Sequence, residues 1–224
     1  NRLDLLLETY AYLDFYDRVH TTYAFLRQTL AYVGEHAEEI VDLLAGCEMP
    51  PDEIAVRYRL EAFPDREVEI LTRDPYTLEG EPVSANVPYI GRFIGEHIVQ
   101  RPLAYAVPEE IASRLEGHGL VVERPPVAPL LHAEVATVTA LASSVGREIL
   151  EANASPFVEA QYLREDRVLP AGWALVRTEQ QRGAVAVYLC EAGSDDGLVA
   201  CGWIDPPAVD AEFPAWRVLA IVHG

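Results

Sequence analysis

At Pro50-Pro51 the chain changes its hydrophobic period, and that change constrains the fold more than any other feature of the sequence. Before it, apolar residues recur at Val19, Tyr23, Leu26, Leu30, Val33, Ile40 and Leu44, a spacing that mostly follows one face of an α-helix. After it, Ala55–Phe63 and Glu67–Leu71 alternate polar and apolar residues, the period of a half-covered strand. Two adjacent prolines bar a helix from running through the switch. The chain is therefore expected to divide into residues 1–48 and a β-rich unit over 49–224.

The first unit opens on Leu3–Tyr10, an apolar run of the kind found in strands covered on both faces. No flanking strand precedes it, so the run is expected to continue a sheet begun upstream of Asn1, in a chain that has lost its earlier residues. Asp14 and Asp17 place negative charge at a helix start. One helix is expected from Phe15 to Leu44, stopped at Gly46.

In the second unit Pro64-Asp65 reads as the turn of a hairpin, and residues 74–100 as a long loop with one short helical turn. Strands are expected at Leu103–Val107, Leu120–Glu123, Glu134–Ala142, Phe157–Val168, Trp173–Val176 and Trp216–Val222. Pro108-Glu109-Glu110 favours a helix carrying Ile111 and Leu115 up to Gly119. Ala184–Cys190 is compatible with helix or strand and is read as helix, followed by a turn at Ser194–Gly197. A twisted sheet with one or two covering helices is the simplest assembly, with Trp173, Trp203 and Trp216 in its core rather than on a sugar-binding face.

The charge narrows function by exclusion. A net charge of −19 with no lysine argues against a phosphate-backbone partner, because nucleic-acid binding needs clustered cations. Cys47, Cys190 and Cys201 are odd in number and far apart, so neither a disulfide framework nor a metal knuckle is indicated. No run reaches the roughly twenty apolar residues of a membrane span.

Glu8 directly follows Leu5-Leu6-Leu7 and falls at the carboxyl end of the expected strand, where open α/β sheets bind ligands. Position alone leaves two readings: a general base, or a surface glutamate closing a strand. His36-Ala-Glu-Glu39 matches a His-x-x-Glu pair literally, but it sits in a polar helical turn with no third ligand and reads as a solvated face. His132 with Glu134 is a weaker pair still, and His20, His97, His118 and His223 are scattered over unrelated elements. No nucleophile elbow, P-loop or dinucleotide fingerprint is present.

Asn1–Tyr12, followed by Asp14–Val19 and Thr22–Leu26, resembles the segment of M14-type zinc carboxypeptidases that carries the catalytic glutamate and the helix after it. The resemblance implies that Glu8 is the general base toward a zinc-bound water. Leu169–Gly172, Thr178–Gln180, Val187–Leu189, Glu191 and Ser194–Leu198, with Arg101–Pro108 and His118-Gly119, are similar to the C-terminal region of a bacterial branch of that family. Zinc would belong to the intact protein, held by a loop His-x-x-Glu and a later His in a missing N-terminal portion, because neither can be placed on this chain.

The resemblance implies an α/β remnant, the last strand and helix of a carboxypeptidase-like domain, followed by a mostly β, α+β C-terminal domain. The implied substrate is a peptide or related amide. The alternative is a binding or regulatory module derived from the same family, without catalysis.

Overall fold

The computed structural model describes residues 4–9, 13–46, 49–72, 80–81, 83–143 and 156–222. Helix α1 spans Phe15–Glu35 and α2 spans Ala37–Ala45. Asp14 caps α1, its carboxylate accepting the amide of Asp17 at 2.9 Å. The single helix expected to Leu44 is thus interrupted at His36, whose backbone leaves the helical region at φ −111° and ψ 20°. Gly34, a weak helix former, precedes the break, and the His36 ring stacks on Tyr32 at 4.2 Å. No residue of either helix is buried, and Tyr23, Leu26 and Leu30 are 60%, 52% and 70% exposed.

The strand expected over Leu3–Tyr10 does not form in the described part of that run. Residues 4–9 carry no regular structure, and Leu5 and Leu6 are 68% and 85% exposed. A strand needs a neighbour to take its backbone hydrogen bonds, and no other strand among the described residues pairs with this segment.

Strands β1, Glu53–Thr72, and β2, Val83–Gln100, form a two-stranded antiparallel arm. This corrects the hairpin turn expected at Pro64-Asp65 and the loop expected over 74–100. Pro64 lies within β1, where the register jumps from Ala62 opposite Ile90 to Glu67 opposite Pro88. Proline lacks the amide that a regular ladder requires, and an irregularity of this kind is where a strand accommodates it. Only the root of the arm is buried, through Ile54, Val56 and Val99.

The remaining strands are β3 Ala104–Pro108, β4 Val122–Glu123, β5 Leu130–Ser143, β6 Pro156–Val168, β7 Trp173–Arg177 and β8 Trp216–Val222. They form one antiparallel sheet of six strands in the order β4-β7-β3-β8-β5-β6. Helices α3, Glu109–Gly117, and α4, Gly183–Cys190, contribute Ile111, Leu115, Ala186 and Val187 to the larger core. Alternation along β3 sends Tyr105 and Val107 into that core and Ala104 and Ala106 into a second one with Leu131, Leu175, Trp216 and Val218.

Periodicity left Ala184–Cys190 open between helix and strand, and packing at its start selects the helix. Gly183 lies so close to the Thr178 carbonyl that a Cβ would stand 1.7 Å from its oxygen. Gly183 donates to the Gln180 carbonyl at 2.8 Å, closing the turn from which α4 departs.

Candidate functional site

Glu8 is exposed on the irregular segment ahead of α1. Its neighbour Thr9 is tied to that helix by a hydrogen bond of 2.9 Å to the Thr22 hydroxyl. His36 and Glu39 do approach one another, at 3.1 Å, but on the exposed break between the two helices. His132 pairs with Asp166 across β5 and β6, whereas Glu134 faces Arg164 and Arg217, each at 3.1 Å. His132 and Glu134, discounted as a metal pair from the sequence, each take cross-strand partners instead, which stand opposite one another in a sheet. His20 is exposed, His118 rests against Trp203 with ring centres 5.2 Å apart, and His223 lies outside the described residues. Trp216 is buried and packs on Trp173 at 4.6 Å, while Trp203 is partly buried against the larger core.

The most elaborate polar constellation in the fold centres on Glu191, a fully buried carboxylate at the C-cap of α4. One carboxylate oxygen accepts from the Tyr105 hydroxyl at 2.5 Å and from Arg217 Nε at 2.7 Å. The other accepts from the Tyr162 hydroxyl at 3.0 Å and from Arg217 Nη2 at 2.5 Å. The Arg217 guanidinium also lies over the Tyr162 ring, 3.6 Å from its centre, and reaches Glu134. Burial, then the Glu191 charge, pushes both phenols above the ordinary tyrosine range, so they stay protonated and donate. Burial alone would lower the proton affinity of Arg217, but the hydrogen bonds and charge of Glu191 outweigh it and hold the cation.

With two donors on each oxygen, Glu191 has no free direction for a reacting proton. The cluster fastens α4 to β3, β6 and β8, and its chemistry is support rather than catalysis. Residue periodicity does not reveal it: Glu191 simply follows an apolar run, and Arg217 alternates within a strand.

The arm root meets the same region. The Tyr58 amide donates to the Asp195 carboxylate at 3.2 Å, and the Asp195 amide donates to the Val56 carbonyl at 3.0 Å. Arg57 lies over the Phe157 ring, 4.4 Å from its centre. An open cleft of about 780 Å³ is lined by Asp4, Met49, His118 and Arg182, where the Arg182 guanidinium donates to the His118 carbonyl at 2.7 Å.

Among the described residues, no group of three or more His, Cys, Asp or Glu side chains is arranged to hold a metal ion. Nor is any described helix long and apolar enough to cross a membrane.

Comparison with known proteins gives a partial likeness. The chain is 30% identical over 121 residues to carboxypeptidase 2 of Trichophyton tonsurans, covering 53% of this chain and 22% of that protein. It is 29% identical over 121 residues to carboxypeptidase 2 of Trichophyton equinum, with the same coverage. The match thus spans about a fifth of the length of these relatives. No family model matches, and no solved structure matches. The likeness supports a carboxypeptidase-related chain.

Proposed function

We propose that this chain is part of a zinc-dependent metallocarboxypeptidase of the M14 type, hydrolysing peptide or related amide bonds, with Glu8 as general base. The observation that carries the proposal is the 30% identity to a carboxypeptidase, together with the resemblance of the Glu8 segment to the glutamate-bearing segment of that family. Zinc in such a site polarises the scissile carbonyl and lowers the proton affinity of water. The described residues do not fit a zinc site, so in this reading the ligands belong to another part of the enzyme.

What this chain supplies is a proton carrier. As the C–O bond forms, Glu8 takes the proton of the attacking water; as the C–N bond breaks, it gives that proton to the departing amine. Its carboxylate is exposed among the described residues, and the Thr9–Thr22 hydrogen bond limits how far the segment can stray from α1. The exposed apolar stripe of α1 also suits a helix that packs against further protein. In this reading the β-rich region packs beside the catalytic part or shapes access to it.

A non-catalytic recognition role is the second reading, favoured by one observation: the fold's main polar cluster is saturated and offers no reacting group. The two separate in the complete enzyme. Glu8→Gln is expected to leave zinc content unchanged and to lower turnover of a blocked dipeptide by roughly two to four orders of magnitude. Unchanged turnover removes Glu8 from the mechanism. Stoichiometric zinc on these 224 residues alone would return His36 and Glu39 to consideration.

A further inference from the structure

The β1–β2 arm joins the six-stranded sheet through a junction that contains an unusual group. His97, on β2, has its Nε2 atom buried without a hydrogen-bond partner. The ring lies against Gly193, where a Cβ would stand 3.5 Å from Nε2 and 3.6 Å from Cε1. These are ordinary packing distances, so the ring of His97 sits directly on the segment that follows α4.

Three charged groups from separate elements act on the ring: Arg57 from β1, Glu191 from the end of α4, and Arg217 from β8. On its own strand Glu96 pairs with Arg57 at 3.7 Å. The one carboxylate of the three, Glu191, already accepts from Tyr105, Tyr162 and Arg217 on both oxygens. A proton added at Nε2 would therefore create a buried donor with no acceptor among the described residues, within the field of the Arg57 and Arg217 charges.

We propose that the junction between the β1–β2 arm and the sheet is a proton-sensitive hinge: His97 holds the arm seated while neutral, and its protonation releases the arm root from the α4–β8 side of the fold. The contacts that must yield are the Tyr58–Asp195 and Asp195–Val56 hydrogen bonds, the Arg57–Phe157 contact and the packing of Ile54, Val56 and Val99 in the larger core. Beyond the root the arm has little other attachment among the described residues, since Phe93 and Ile90 are 72% and 60% exposed and Leu71 79%. A two-stranded ribbon is marginal alone, so its orientation is set where it is rooted.

The direction follows by linkage. Burial, then the Arg57 charge, lowers the proton affinity of His97 below its ordinary value of 6.5. A released arm returns the ring to water and to that ordinary value. Protons therefore bind the released form more strongly, and seating is complete above that value and lost as pH falls through it toward the lower value of the seated form.

The test is peptide-resolved hydrogen exchange of the complete protein from pH 7.5 to 5.0, with rates divided by the intrinsic rate at each pH. Protection across 54–58 and 97–99 should fall on acidification by about tenfold for each unit that the seated His97 lies below its free value, while β3 and β7 keep theirs. In His97→Gln the arm-root protection should be independent of pH over the same range. An equal loss in His97→Gln assigns the effect to another group and overturns the proposal, as does constant protection in the wild type. Exchange of the His97 Cε1 proton in the unaltered protein gives its titration directly, and a midpoint at or above 6.5 also overturns it.

Discussion

Replacing Arg217 by methionine should leave the buried Glu191 carboxylate without its cation. The substitution keeps a long side chain between β3 and β5 but removes the hydrogen bonds of 2.7 and 2.5 Å to Glu191, the bond to Glu134 and the contact with the Tyr162 ring. Glu191 is fully buried and Arg217 only 14% exposed at its side chain, so water cannot replace the lost cation without opening the fold. Leaving one member of a buried ion pair without its partner costs about 3–5 kcal/mol. For a chain of this size that corresponds to a fall in Tm of roughly 6–20 °C.

Urea unfolding followed by tryptophan emission measures the loss, because Trp216 is buried against Trp173 and senses the same sheet. Arg217→Met combined with Glu191→Leu removes both charges, and the double variant should be more stable than Arg217→Met alone despite carrying more changes. Arg217→Met within about 1 kcal/mol of wild type would show instead that the pair contributes no more than an exposed one.

Gly183→Ala should lower Tm or prevent soluble expression, because the Thr178 carbonyl 1.7 Å from the new Cβ is backbone and cannot swing aside; wild-type melting behaviour would show that the turn has room to relax. Arg124 grips Glu109 and Glu116 with bonds of 3.0 and 2.7 Å, and those bonds hold both carboxyls below their ordinary 4.5. Their stabilising effect is present above that value and lost as pH falls through the lower folded values, so Arg124→Ala should flatten the acid limb of a Tm–pH curve; an unchanged limb counts against it. Both carboxyls are exposed, so the difference should also shrink in high salt.

Periodicity and turn chemistry determine much of the local structure. The helical stripe before Pro50, the strands at 104–108, 156–168 and 216–222, and the helix after Pro108 all follow from residue spacing, because a face that will be covered repeats along the chain with the period of its element. Pro64 misled the reading for a related reason. A turn is the commonest local use of Pro-Asp, whereas tolerance of proline inside a long strand depends on what stands opposite, and that is β2.

Tertiary structure alone decided the rest. Periodicity shows which face of α1 seeks cover but not whether this chain provides it, and here Tyr23, Leu26 and Leu30 remain exposed. It shows Leu5-Leu6-Leu7 as strand-like, yet a ladder requires a partner that the described residues do not offer. Glu191 and Arg217 look like unrelated charges in sequence, and His97 like one of several scattered histidines. They converge because β8 inserts between β3 and β5 and the arm root crosses the same side of the sheet as α4, pairings across long stretches of chain that no local pattern encodes.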